Sequence, residues 1–132
     1  MKARISNTIS ETILIYGFDT EDELTFQKLG NSLGINVRII PPDAGNETIG
    51  YLAGFSGFTA SSEPHKDNRQ CVIFSCIDGK RLNKVLASMR SSGLGDIPLK
   101  AAVTAYNQKM KLTDLINELE AEHSNFNSRK TN

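Results

Sequence analysis

Net charge is the first thing this sequence lacks. Fifteen Lys and Arg are matched by fifteen Asp and Glu over 132 residues. That balance argues against the basic footprint of a general nucleic-acid binder. Long apolar runs are missing too. The longest, Thr12 to Phe18, is strand-sized and far short of a membrane span. The first ten residues carry charge but no apolar segment of the kind that directs secretion. Cysteine is scarce, with only Cys71 and Cys76. Both fall in one predicted strand at a spacing that points their side chains to opposite faces, so they cannot pair without breaking it. Buried, reduced thiols are the simpler reading, and the chain is expected to be cytoplasmic, with neither membrane nor nucleic acid as partner.

What is present is one unit written twice. The run Ile13-Leu14-Ile15-Tyr16-Gly17-Phe18-Asp19 is echoed by Val72-Ile73-Phe74-Ser75-Cys76-Ile77-Asp78. At the same offset Phe26 matches Val85, Gly34 matches Gly93 and Ile35 matches Leu94, although the helix interiors agree poorly. Each copy reads as strand, aspartate, helix, glycine, strand. Residues 12–18 and 71–76 are apolar on both faces, the pattern of a strand covered on both sides. Thr20-Glu-Asp-Glu23 is a capping-box signal with Asp19 as the alternative cap, and the helix it opens ends at Gly34. A second strand, 36–40, sets Arg38 between Val37 and Ile39 and stops at Pro41-Pro42. Asn46 is placed to cap a short helix through 48–53, and residues 54–70 read as an exposed loop. A helix over roughly 79–92 and a strand over 99–105 complete the second unit. A last helix carries Leu112, Leu115, Ile116, Leu119, His123 and Phe126 on one stripe. Residues 1–10 read as a flexible arm and 127–132 as a frayed tail, around a single domain over 11–126.

Two architectures fit this order. One is an α/β fold with a four-stranded, mostly parallel sheet, order 2-1-3-4, and helices on both faces. The other is ferredoxin-like, α+β, with the second and third strands antiparallel neighbours. A parallel return needs a crossover of about a dozen residues, whereas a hairpin needs two to five. The 41–70 connection is crossover-sized and holds a helix signal, so the expectation is a sheet parallel throughout, with the first and third strands adjacent at its centre.

From Thr48 onward the chain resembles a family of small bacterial and archaeal domains with no assigned function. The likeness rests on Thr48-Ile-Gly-Tyr-Leu-Ala-Gly54, Val72-Ile-Phe-Ser75, Leu94 through Thr104, Asn107 and Leu115-Ile-Asn-Glu-Leu-Glu-Ala-Glu-His123. The first strand–helix–strand unit is also similar. The family pattern has proline after the Thr104 position and tryptophan before the last helix, where this chain has Ala105 and Met110. The resemblance implies a shared fold and no particular activity.

In an open parallel sheet a ligand crevice lies beyond the carboxyl ends of the central strands. Asp19 and Thr20 would line one side of it, and Asp78, Gly79 and Lys80 the other. Helix N-termini favour anions, so a small anion or nucleotide is the ligand class that such a crevice would take, with Asp78 capping its helix as the plainer role. Lys80 and Arg81 then either flank the anion or reach into solvent. Thr104 and Asn107 could hydrogen-bond a ligand at the fourth strand's exit, or simply form a turn. Gly50, Gly54 and Gly57 straddle a predicted helix and fit close-packed turns better than a phosphate loop. His65 and His123 have no cluster of metal-ligand spacing around them, and no cofactor is expected. Catalysis finds no nucleophile elbow, Cys–His signal or spaced carboxylate pair. The functional expectation is a non-enzymatic interaction or regulatory domain that works through an unidentified protein or through its own homodimer, with the anion crevice as the alternative.

Overall fold

A computed structural model describes residues 10–131, with side chains described to residue 125. The arm expected over 1–10 falls outside these residues except for Ser10, as do Asn132 and the Phe126 side chain. Strand β1 (Thr12–Tyr16) leads into helix α1 (Thr20–Leu33) and strand β2 (Asn36–Ile39). A short helix α2 (Ile49–Leu52) follows, then strand β3 (Cys71–Ser75), helix α3 (Gly79–Ser91) and strand β4 (Lys100–Ala102). A 3-10 turn at Asn107–Lys109 precedes helix α4 (Leu112–Thr131), whose last turns cover the stretch expected to fray.

Local chemistry explains the boundaries. Asp19, not Thr20, caps α1: its carboxylate accepts from the Asp22 N–H at 2.8 Å. Asp78 caps α3 in the same way, accepting from the Arg81 N–H at 2.9 Å. Gly34 closes α1 in the left-handed conformation that glycine adopts without a steric penalty. The cap of α2 is Thr48, whose hydroxyl accepts from the Tyr51 N–H, while the Asn46 carboxamide donates to the Glu63 carbonyl instead.

The sheet order is β2-β1-β3-β4, as the repeat implies, with β1–β2 and β3–β4 parallel. The central pair β1–β3 is antiparallel, which corrects the all-parallel expectation. Its register pairs Thr12 with Ser75 and Tyr16 with Cys71. The reason lies in the long connection. His65 donates its N–H to the Asp43 carbonyl, and Gly45 donates its own to the His65 carbonyl. These bonds hold residue 65 beside the exit of β2, so the chain turns back at the edge it left by and enters β3 in the opposite direction. The ferredoxin-like alternative also fails, because β2 neighbours β1 and not β3.

Both faces are covered. With the two βαβ units running in opposite senses, the same crossover hand puts α1 and α3 on one face. There Phe26, Leu29, Val85 and Met89 pack on Ile13, Ile15, Val72 and Phe74. On the other face α2 and α4 bring Ile49, Leu52, Leu112, Leu115 and Ile116 onto Leu14, Tyr16, Cys71 and Ile73. The period of two along each central strand divides its side chains between these layers.

The two units diverge at one matched position. Gly17 (φ 87°) and Cys76 (φ 62°) both leave their strands in left-handed backbone. At Gly17 a side chain would meet the Arg69 carbonyl oxygen at 2.6 Å, so glycine is required twice over. Cys76 faces open solvent and keeps its side chain there, which corrects the expectation of a buried thiol. Cys71 is buried in the sheet, and desolvation pushes its thiol up to about 12.

Candidate functional site

The antiparallel centre takes the expected crevice apart. β1 and β3 deliver their carboxyl ends to opposite edges of the sheet, roughly 14 Å apart along five paired residues. Asp19 and Thr20 lie beyond one edge, and Asp78, Gly79 and Lys80 beyond the other. β4 runs parallel to β3, so Thr104 and Asn107 share the edge of the Asp78 group. No single crevice between the carboxyl ends of strands one and three is formed, so Asp19 and Thr20 do not share a site with Asp78, Gly79 and Lys80.

The polar groups near Asp78 are engaged within the fold. Arg81 folds back on the protein while staying about a third exposed: its guanidinium donates to both oxygens of the Glu11 carboxylate and to the Leu33 carbonyl. That bidentate pair holds the Glu11 carboxyl below its ordinary range. Nothing lies within 4 Å of where a Gly79 side chain would start, so this glycine is not excluding a crowded neighbour. Asn107 is buried, and both ends of its carboxamide are hydrogen-bonded within the turn. Its carboxamide accepts from the Thr104 N–H and donates to the Ala102 carbonyl, while its own N–H bonds the Thr104 hydroxyl. These bonds build the turn at the exit of β4.

Two clefts open elsewhere. One, of about 410 Å³, lies by the exit of β2, where Asp43, Glu47 and Glu63 meet Tyr51, Ser61 and Ser62. Its three carboxylates disfavour the anion expected from the sequence. Gly50 is needed on the other side of α2, because any side chain there would run into the Phe58 ring. The second cleft, about 430 Å³, is lined by Gly17, Arg69, Gln70, Leu99, Glu120 and His123. Beside it runs a network that pattern reading missed. Arg69 donates to Asp67, Glu120 and Asn117, and Thr113 donates to Asp67. Asp67, 5% exposed, also receives the Arg69 backbone N–H, and these donors together lower its carboxyl to about 2. The network ties the loop before β3 to α4. Among the described residues no group of three or more His, Cys, Asp or Glu side chains could hold a metal ion. No helix among them is long and apolar enough to cross a membrane.

The open edge of β2 is a different kind of feature. Asn36 donates its N–H to the Glu11 carbonyl and Ile40 donates to Ile15. By alternation the N–H and C=O groups of Val37 and Ile39 therefore point away from β1. No strand pairs with them among the described residues. Ile39 is 43% exposed on this edge, and Leu24 on α1 is 57% exposed. Glycine at position 30 lets α1 approach Val37. Ile39 shares the α1 face of the strand with Val37 and stands beside the free backbone groups, whereas Leu24 lies about half a turn around α1 from the buried Phe26, Leu29 and Gly30 and faces solvent. Arg38 points to the other face, where its guanidinium donates to the Leu52 carbonyl at 2.6 Å.

Comparison with known families now adds one finding. Residues 70–126 match a domain of unknown function, DUF3783. The DUF3783 match begins at the entry to β3 and takes in α3, β4 and most of α4, so the second βαβ unit and its covering helix carry the likeness. It agrees with the resemblance read from the sequence to a conserved family without an assigned activity. The first unit and the β2 edge lie outside the match, as does the Thr48–Gly54 segment. No curated protein and no solved structure matches the chain.

Proposed function

We propose that this chain is an interaction module of a cytoplasmic, regulatory kind, which joins a partner by adding a strand to the open edge of β2. One observation carries the reading: the outward backbone groups of Val37 and Ile39 stand free among the described residues beside the exposed Ile39 side chain. An edge of this kind is a template for an extended chain, with the backbone supplying hydrogen bonds and alternate side chains supplying selectivity. The one charge on this edge strand, Arg38, is turned to the other face, where its guanidinium donates to the Leu52 carbonyl. A reducing compartment suits the two unpaired cysteines.

The test is selection of linear peptides from a display library, with binding mapped by amide chemical shifts. Bound peptides are expected to move Val37, Arg38 and Ile39, and to lose affinity for Ile39→Pro. That substitution removes an outward N–H together with the exposed isoleucine side chain and leaves the donors to β1 in place, because Ile39 does not donate to β1. Failure to select any binder that depends on residue 39, or shifts centred elsewhere, would sink the reading.

A further inference from the structure

Resting on that reading, we infer that the partner strand at β2 is β2 of a second copy, paired antiparallel about a two-fold axis through Arg38. The usable edge is short and sharply bounded. On its amino side the Ile35 N–H is already given to the Gly30 carbonyl. On its carboxyl side Pro41 has no N–H, and its carbonyl accepts from Ala44. Among the described residues only Val37 and Ile39 remain, each with one donor and one acceptor facing out.

Three two-fold registers are open to such an edge, and two of them fail. Centred on Val37, the pairing sets Ile39 against the occupied Ile35. Centred on Ile39, it sets Val37 against Pro41. Centred on Arg38, Val37 of each copy faces Ile39 of the other, and each pair exchanges two N–H···O=C bonds. All four outward donors and all four outward acceptors of the pair are then engaged. The same register opposes Val37 and Ile39 side chains on the α1 face, a β-branched cross-strand contact that covers the exposed isoleucine. The two Arg38 side chains meet at the axis, but each guanidinium is drawn back onto its own Leu52 carbonyl on the other face. With fifteen charges of each sign per chain, two copies approach without net repulsion. The axis is perpendicular to the sheet, so the product is one eight-stranded sheet with both α1 helices beside the seam on the same face.

The experiment is sedimentation velocity from micromolar to near-millimolar protein, with amide hydrogen exchange of the same samples. A monomer–dimer equilibrium is expected, with protection of the Val37 and Ile39 amides rising with the dimer fraction while Arg38 stays constant. Ile39→Pro, which deletes one N–H from each copy and so two of the four bonds, is expected to weaken dimerisation about tenfold or more. The wild-type exchange pattern decides the question even if that variant is unfolded. A monomer at every concentration, a dimer that leaves both amides exchanging, or protection that does not change with concentration would each overturn self-pairing. A monomer that still binds a selected peptide through Val37 and Ile39 overturns only the choice of partner, whereas one that binds neither removes the edge-pairing function as well.

Discussion

Replacing Leu115 by alanine is expected to destabilise the fold by about 2–5 kcal/mol. Leu115 is 2% exposed and lies in the layer where α4 covers Leu14, Tyr16 and Ile73. Truncation there removes three carbons from a packed interior and leaves a cavity that the flanking β-sheet, fixed by its own ladder, cannot collapse to fill. Leu119, one turn further on, only borders this cluster and is partly buried. Leu119→Ala is therefore expected to cost clearly less, although the helical stripe in the sequence ranks the two leucines alike. Urea midpoints of the two variants check this. Equal shifts, or an unchanged midpoint for Leu115→Ala, would mean that α4 does not seat as described.

Asp67→Ala is expected to cost about 1–3 kcal/mol, because it removes the buried acceptor of the Arg69 guanidinium, the Arg69 N–H and the Thr113 hydroxyl, leaving Arg69 only Glu120 and Asn117. The same network sets a pH dependence whose sign follows from linkage. The Asp67 carboxyl is lowered from 3.8 to about 2 in the folded chain. Its ionised form is thus favoured by folding, so the stabilisation is fully present above pH 4 and fades as pH falls towards 2. The amount at stake is about 2 kcal/mol. Asp67→Asn keeps a group of the same shape beside Thr113 but cannot ionise, and it should flatten the loss of stability over that pH range. A variant with the wild-type acid slope would show that Asp67 is not the group responsible.

Much of this fold is legible in the chain, and the part that is not has a definite cause. The matched strands, the aspartate caps and Gly34 are local signals, and the structure keeps them because each concerns a few neighbouring backbone groups. The direction of β3 is another matter. A strand apolar on both faces is the mark of a covered sheet, whether its neighbour runs parallel or antiparallel. A long connection permits a crossover without requiring one. Bonds between residue 65 and residues 43 and 45 decide the outcome, and no periodicity in sequence announces them. That one reversal separated Asp19 and Thr20 from Asp78, Gly79 and Lys80. The Asp67–Arg69 network hid for a related reason: its partners Thr113, Asn117 and Glu120 lie some fifty residues away, opposite a loop that composition alone marks as solvent-facing. The β2 edge was half visible, since the order 2-1-3-4 already puts that strand outermost and Pro41-Pro42 already bounds it.

The proposed function turns on two N–H and two C=O groups on the outer side of β2, at Val37 and Ile39, that stand unpaired among the described residues. Amide hydrogen exchange of the dilute, monomeric protein tests it at single residues. Slow exchange is expected at Arg38 and Ile40, whose N–H groups face β1, and fast exchange at Val37 and Ile39 between and beside them. Uniform protection across residues 37–40 in the monomer would contradict it, because the edge would then already be closed.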